Sequence, residues 1–173
     1  GFCTFNGLAI AALRALDAGA KRVLVLDLDA HCGGGTDELL GRHPSVRIID
    51  VAVDAFDRYE PAPGNSLDLI DNAAEYLPTV QRRLQAAHAQ PFDLCIYNAG
   101  MDPHQGASIG GLAGIDATLL AQREQMVFEW CRASRLPVAF VLAGGYVNSG
   151  FTQEELVDLH RLTIAAAAAQ PAS

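Results

Sequence analysis

The sequence predicts an α/β protein with a mainly parallel sheet flanked by helices. Short apolar runs rich in Val, Leu and Ile recur along the 173 residues, as in strands buried on both faces. Between them lie longer stretches with apolar residues at helical spacing, so strand and helix alternate throughout. A chain of this length corresponds to one domain or most of one.

The predicted helices are recognised by their ends. They are residues 6–18, 36–42, 72–89, 116–134 and 152–169. Gly19 can end the first, and Asp116 is a plausible cap for the fourth. Thr152 and Glu155 have the spacing of a capping box for the last. Pro78 leaves the start of the third helix open, because proline is tolerated only in a first turn.

The predicted strands are residues 22–29, 46–53, 93–99 and 138–143. Residues 54–66, with several prolines and glycines, are predicted to be a loop. Three unusual loops follow three of the strands: residues 30–36, 100–115 and 144–150. Loops that follow parallel strands gather at the carboxyl edge of the sheet, where ligands bind. We therefore expect one crevice to collect residues from all three loops, namely Asp29, His31, Asp102 and Tyr146.

Composition excludes several classes of protein. The chain is 50% hydrophobic and 18% charged, which argues against disorder. Its net charge is −8 and it has no basic run, so nucleic acid and anionic membrane surfaces are not expected partners. No apolar segment is long enough to span a bilayer.

The start at Gly1-Phe2 is neither a signal peptide nor an initiator methionine, which suggests a piece of a larger protein. Four scattered cysteines favour a reducing, cytoplasmic location. Nothing indicates an oligomeric state.

The strongest chemical signal is Asp27-Leu28-Asp29-Ala30-His31, at the end of an apolar strand. Two carboxylates buried there are costly unless something offsets their charge, and a divalent metal is the simplest explanation. Asp29 and His31 are two residues apart, so in extended backbone they point to the same side. Asp27 would support the site from outside the ligand set. The structural alternative is a strand-end turn in which the Asp caps the next helix.

Two later residues fit the same site. Asp102 would bring a third ligand, giving a catalytic zinc site with an open position for water. Alone, it would be assigned to an Asx-turn before Pro103. Tyr146, on a glycine loop, would donate a hydrogen bond to an oxyanion; the structural alternative is a tyrosine that packs on the turn. This combination suits hydrolysis of an amide or ester.

Four motifs stand in order along the chain: Gly1-Phe2-Cys3-x-x-Asn6, Asp27-Leu28-Asp29-Ala30-His31, Asn98-Ala99-Gly100-Met101-Asp102 and Gly144-Gly145-Tyr146. Together they resemble the zinc-dependent histone deacetylase family, which includes acetylpolyamine deacetylases and acetoin-utilisation proteins. The resemblance implies an arginase/deacetylase-like three-layer fold. The chain, residues 1–173, would be a partial domain that contains only the C-terminal part of that fold.

The resemblance also implies roles for individual residues. Asp29, His31 and Asp102 would bind zinc, and their oxygen-rich ligand set would also accept Fe(II). Tyr146 would stabilise the tetrahedral intermediate. Asp27 would orient a catalytic histidine and help form a potassium site. The residues expected to contact the substrate are Phe2, Gly144 and Gly145, with Phe2 lining an acyl-lysine tunnel.

The sequence departs from the family at several positions. The tandem His-His that supplies acid–base catalysis in the family precedes Gly-Phe-Cys, and this chain begins after that point. Cys32 and Gly33-Gly34-Gly35 replace the usual His-Gly-Asp-Gly, so Gly34 stands where an Asp normally orients one of the tandem histidines. The serine of the potassium site is assigned to Ala52, which argues against potassium.

The main hypothesis is a zinc-dependent deacetylase that acts on an acylated amine, either a small molecule such as acetylpolyamine or a peptide carrying acetyl-lysine. The isolated chain would be inactive without the upstream histidines. The alternative is a catalytically impaired, deacetylase-like module that binds metal and ligand. A two-manganese ureohydrolase is disfavoured, because Gly33 and Gly100 stand where that class needs further aspartates.

Overall fold

The computed structural model describes residues 4–169 and contains one sheet of five parallel strands in the order β3-β2-β1-β4-β5. The strands are β1 (Val23–Asp27), β2 (Val46–Ala52), β3 (Ser66–Leu69), β4 (Leu94–Gly100) and β5 (Val138–Ala143). The most apolar run of the chain, β1, lies at the centre between β2 and β4. All five of its residues are buried.

Helices cover both faces of the sheet, which confirms the predicted α/β class and its three layers. They are α1 (Gly7–Asp17), α2 (Gly34–Leu40), α3 (Ala73–Ala87), α4 (Ala117–Ala133) and α5 (Gln153–Ala168). Residues of α1 and α2 share one apolar cluster with side chains such as Val23 and Val25 of β1. Residues of α3, α4 and α5 share the larger cluster with Leu24 and Leu26, which point to the other face.

The helix ends follow the capping residues. The side chain of Asp116 accepts a hydrogen bond from the Leu119 amide, and Thr152 and Glu155 form the expected capping box. Asn72 caps α3, which places Pro78 inside the helix rather than in its first turn. The expectation that proline is confined to the first turn is therefore wrong here. Proline removes the hydrogen bond from position 78 to the carbonyl of residue 74, but α3 is held by its buried side chains, as most helices in proteins are.

One strand was not predicted. The edge strand β3 has only four residues and follows the loop rich in proline and glycine, so its sequence carries little strand signal. Its register against β2 pairs Ser66 with Ile49. Just before it, Asn65 accepts a hydrogen bond from the Ile48 amide and donates one to the Gly41 carbonyl. Side-chain hydrogen bonds of one asparagine thus anchor this strand at its start.

The opposite edge of the sheet is β5. Its sequence is entirely apolar, yet Phe140, Val141 and Leu142 are 37%, 44% and 45% exposed. Within residues 4–169, β5 pairs with β4 alone, and it is less covered than β1, which has a strand on each side. No helix within residues 4–169 has the length and apolar composition needed to cross a membrane.

Candidate metal centre

Three side chains from two loops meet at the carboxyl edge of the sheet. Asp29 and His31 follow β1, and Asp102 follows β4, its neighbour in the sheet. One ligand atom from each lies within 4.8 Å of the others. His31 Nδ1 is 3.0 Å from an Asp29 oxygen and 3.2 Å from Asp102 Oδ2. Among the described residues, this is the one group of acidic, His or Cys side chains arranged to hold a metal ion.

The carboxylates also fold the backbone around the site. Asp27 Oδ1 accepts a hydrogen bond from the Asp29 amide, and Asp29 Oδ1 accepts one from the His31 amide. Asp102 Oδ1 accepts a hydrogen bond from the Ala30 amide across the two loops, at 2.9 Å. The loop after β1 is therefore fixed by the acidic residues that surround the site.

Burial and like charges perturb the titration of this cluster. Burial raises the pKa of Asp102, which is fully shielded from solvent, and raises the pKa of Asp27 to about 7, with a further contribution from the negative charge of Asp29. Hydrogen bonds to Asp102 and Asp29 raise the pKa of His31 to about 10. Buried carboxylates of this kind are stabilised by a nearby positive charge.

The donor set fits a metal ion. Two carboxylates and one imidazole are ligands that zinc accepts, and three protein ligands leave a coordination position open. Asp102 Oδ2 has no hydrogen-bond donor among the described residues other than the ring nitrogen of His31. An ion among the three side chains would satisfy this buried oxygen and share the negative charge of both carboxylates.

Asp27 lies behind the cluster and is joined there by an acid that the sequence analysis missed. Asn98 donates a hydrogen bond to Asp27 Oδ1 at 2.8 Å. Asp50 is the register partner of Asp27 on β2, is fully buried, and accepts a hydrogen bond from the Gly33 amide at 2.7 Å. A carboxylate inside the apolar run of β2 was the signal that could have identified Asp50. Ala52, farther along β2, is also fully buried.

The loop after β5 closes over the metal ligands. Gly144 has φ +59°, and a Cβ atom there would lie 2.3 Å from Asp102 Oδ1 and 2.6 Å from Asp29 Oδ2. A side chain at 144 would therefore occupy the cluster itself. Gly145 has φ +142°, and a Cβ atom there would lie 2.4 Å from Leu156 Cδ1. Both conformations are ones that glycine adopts readily, which explains the Gly-Gly pair.

Tyr146 lies on the rim of this site. Its ring stands edge-on to the His31 ring with centroids 5.8 Å apart, and its carbonyl accepts a hydrogen bond from the Ser108 amide. His104 lies elsewhere in the loop after β4, stacked on Phe151. Phe2 falls outside the described residues, so its expected place in a substrate tunnel stays a prediction.

Gly34 has no room for the carboxylate that the family resemblance leads one to expect there. A Cβ atom at 34 would lie 2.4 Å from the carbonyl oxygen of Asp57 and 2.9 Å from its carboxyl group. Asp57 adopts a left-handed conformation with φ 60°, and its Oδ2 accepts a hydrogen bond from the Gly35 amide. The departure at position 34 is therefore coupled to an acidic residue that approaches from the loop after β2.

Comparison with known proteins identifies the family. Residues 1–157 match the family model described as the histone deacetylase domain. Histone deacetylase 2 of Arabidopsis thaliana is 32% identical over 164 residues, which cover 86% of this chain and 40% of that protein. Acetylpolyamine amidohydrolase 1 of Pseudomonas aeruginosa is 27% identical over 160 residues, covering 84% of this chain and 45% of that protein.

A solved structure shows the same fold. Acetylpolyamine aminohydrolase from Burkholderia pseudomallei matches with a TM-score of 0.79 at 22% sequence identity, over 98% of this chain and 51% of that one. The chain thus spans about half, or somewhat less, of the proteins it matches. The family model, which covers most of the chain, and the four ordered motifs lead to one conclusion: this chain belongs to the histone deacetylase family.

Proposed function

We propose that the full-length protein is a metal-dependent amidohydrolase that removes an acetyl group from an acylated amine. The observation that carries this proposal is the cluster of Asp29, His31 and Asp102, with ligand atoms within 4.8 Å of one another. Family membership supports a hydrolytic deacetylase in general terms.

In this proposal Asp29, His31 and Asp102 hold one ion, with zinc the expected metal and Fe(II) accepted by the same ligands. When bound, such an ion supplies Lewis acidity that activates water and polarises the amide carbonyl. The loop of Gly144, Gly145 and Tyr146 packs against the cluster. Gly144 and Gly145 are assigned contact with the substrate.

Tyr146 is assigned the stabilisation of negative charge on the amide oxygen. Its ring lies beside His31 at the rim, and a phenol donates a hydrogen bond to an oxygen on which charge develops. Asp27 is assigned the orientation of a histidine that transfers the proton. The proposed histidine is one of the pair expected upstream of residue 1, so we expect the isolated chain to be inactive. With alanine at position 52, potassium is not part of the proposal.

The proposed substrate is an acetylated amine, either acetyl-lysine in a peptide or an acetylpolyamine. An acetylpolyamine keeps its unacetylated amines as ammonium groups, and the net charge of −8 is compatible with such a cationic substrate. The same charge disfavours nucleic acid as a partner. The described cysteines, Cys32, Cys95 and Cys131, are buried free thiols, which is consistent with a cytoplasmic location.

The decisive test uses the full-length protein. We expect about one zinc per chain and release of acetate from an acetyl-lysine peptide or an acetylpolyamine. Asp102→Ala should lower both metal affinity and turnover by more than about 100-fold, since even outer partners of metal ligands are worth ~10–100-fold. Asp71→Ala, which changes an exposed carboxylate, is the matched control. Full turnover without metal, or full activity of Asp102→Ala, would refute the proposal.

A second candidate is a binding module that holds metal and acylated ligand without hydrolysing it. It is favoured by Gly34, where the structure leaves no room for an orienting carboxylate. Measurements on the full-length protein distinguish this binding module from a deacetylase. A module would bind zinc and an acetyl-lysine peptide by calorimetry and release no acetate over hours.

A further inference from the structure

We propose that Arg123 is a positioning residue for the metal centre, which it holds by hydrogen bonds to the two segments that carry the ligands. This inference rests on the metal site of the proposed function. It concerns a residue on α4 that lies outside the cluster. Arg123 is one of the buried residues of α4, and its place in the sequence of that helix by itself predicts only packing.

Arg123 is fully buried and is bonded to both ligand-bearing segments. Its Nη1 donates a hydrogen bond to the Leu28 carbonyl at 3.1 Å, and Leu28 lies between Asp27 and Asp29. Its Nη2 lies 3.7 Å from the Met101 sulfur, and Met101 immediately precedes Asp102. One guanidinium group therefore contacts the end of β1 and the end of β4.

The rest of the guanidinium is fixed by its own partners. Nε and Nη2 both contact Glu124 Oε1, at 2.7 and 2.6 Å. Tyr97 donates a further hydrogen bond to the same oxygen, at 2.6 Å. The Tyr76 hydroxyl accepts a hydrogen bond from Nη1. Because these partners come from α3, α4 and β4, the arginine has little freedom to move.

A contribution to stability does not by itself account for the buried ion pair of Arg123 and Glu124. Replacing a buried ion pair with apolar residues of similar size is often neutral or stabilising, because removing both charges from water is costly. Glu124 Oε2 is buried without a hydrogen-bond partner among the described residues, which adds to that cost. Because Glu124 neutralises the charge of Arg123, the pair adds no net charge near the metal centre. Its contribution is to hold the ligand-bearing segments in position. Residues that hold metal ligands from outside the coordination sphere are worth ~10–100-fold in metal affinity.

The test is a double substitution in the full-length protein, Arg123→Met with Glu124→Gln. It removes both charges and leaves an amide oxygen for Tyr97. We expect the affinity for zinc, measured by competition with a chelator, to fall by about tenfold or more. The visible absorption of the cobalt-loaded protein should also shift, while the metal-free protein still unfolds cooperatively. A loss of packing alone would not change the cobalt spectrum.

The matched control is Arg83→Met with Asp68→Asn. This pair, with Arg83 Nε 2.6 Å from Asp68 Oδ2, joins α3 to the edge strand β3. It should leave zinc affinity and the cobalt spectrum unchanged. Arg123→Lys provides a second variant that keeps the charge and loses the guanidinium fork, and it should show the same direction of change.

The outcomes separate this inference from the proposed function. If the unmodified protein binds no metal, the proposed function fails and the role of Arg123 fails with it. If the unmodified protein binds zinc, and both Arg123 variants match its affinity and cobalt spectrum, the positioning role alone is overturned. Should the double variant not fold, Arg123→Lys decides.

Discussion

The strands β1 and β5 have similar sequences and opposite surroundings. Both are apolar and both lead into loops of the candidate site. At the centre of the sheet, β1 buries even the carboxylate of Asp27, which is 4% exposed, whereas the apolar Val141 and Leu142 of β5 are 44% and 45% exposed. The comparison teaches that position in the sheet, and not hydrophobicity, decides what is buried here.

This difference divides the site into two halves. The half that follows β1 is shielded, charged and tightly packed, with backbone amides bonded to carboxylates. The half that follows β5, residues 144–146, is attached to a strand that pairs only with β4 among the described residues. We therefore expect metal binding to depend on the first half and substrate closure on the second.

The largest expected effect comes from the buried charges of the first half. In the metal-free protein the pKa of His31 is raised from 6.5 to about 10, so the folded state binds more protons than the unfolded state in this interval. The stability due to His31 is complete below its unfolded pKa and is lost as pH rises toward 10. Raised carboxyl pKa values at Asp27 and Asp102 also make stability fall as pH rises, but Asp27, with its pKa raised from 3.8 to about 7, acts below this interval.

Thermal unfolding in a chelator should therefore show stability falling from pH 6.5 to pH 10, by a few kcal/mol, since one pKa unit corresponds to about 1.4 kcal/mol. Saturating zinc should reverse the trend over the lower part of this range, because zinc competes with the proton on His31. If the stability of the metal-free protein stays constant or rises in this interval, the raised pKa of His31 is contradicted.

The next effect compares one substitution at two places. Leu24→Ala in β1 removes a fully buried side chain and should lower the free energy of unfolding by about 2–5 kcal/mol. Leu142→Ala in β5 should cost below about 1 kcal/mol, because that residue is already 45% exposed. Urea unfolding of the 173-residue chain measures both. Equal losses would show that β5 is as buried as β1.

Much of the fold could be predicted because its signals are local. The apolar runs, the cap at Asp116 and the box at Thr152 each depend on a few neighbouring residues. The four-residue β3 has no such signal, since Asn65 anchors it through contacts distant in sequence.

The candidate site likewise has features that local sequence patterns predict and features that depend on contacts distant in sequence. The convergence of loops follows from the rule that ligands bind at the carboxyl ends of parallel strands. Asp50 and Arg123 were missed because their importance depends on register and on side chains from other elements. The approach of Asp57 to Gly34 likewise depends on a loop conformation that the sequence does not indicate.

The smallest expected effect tests how tightly the charged half is packed. Gly34→Asp would restore the residue type that the family resemblance predicts there, at the first position of α2. An acid at a helix start gains about 0.3–1 kcal/mol from the helix dipole. Its Cβ would, however, lie 2.4 Å from the Asp57 carbonyl oxygen, which is backbone and cannot rotate away. Overpacking of this kind costs about 1–3 kcal/mol, so the substitution should destabilise the protein and leave turnover unimproved.

Gly35→Ala is the matched control, because its nearest neighbour would be Asp57 Oδ2 at 3.9 Å, an ordinary contact. Alanine there should be neutral or should stabilise the protein by about 0.5–1 kcal/mol, since glycine is a poor helix former. Chemical unfolding ranks the two variants. If Gly34→Asp is instead more stable than the parent and raises turnover, the loop of Asp57 moves freely, and the charged half of the site is no tighter than the half that follows β5.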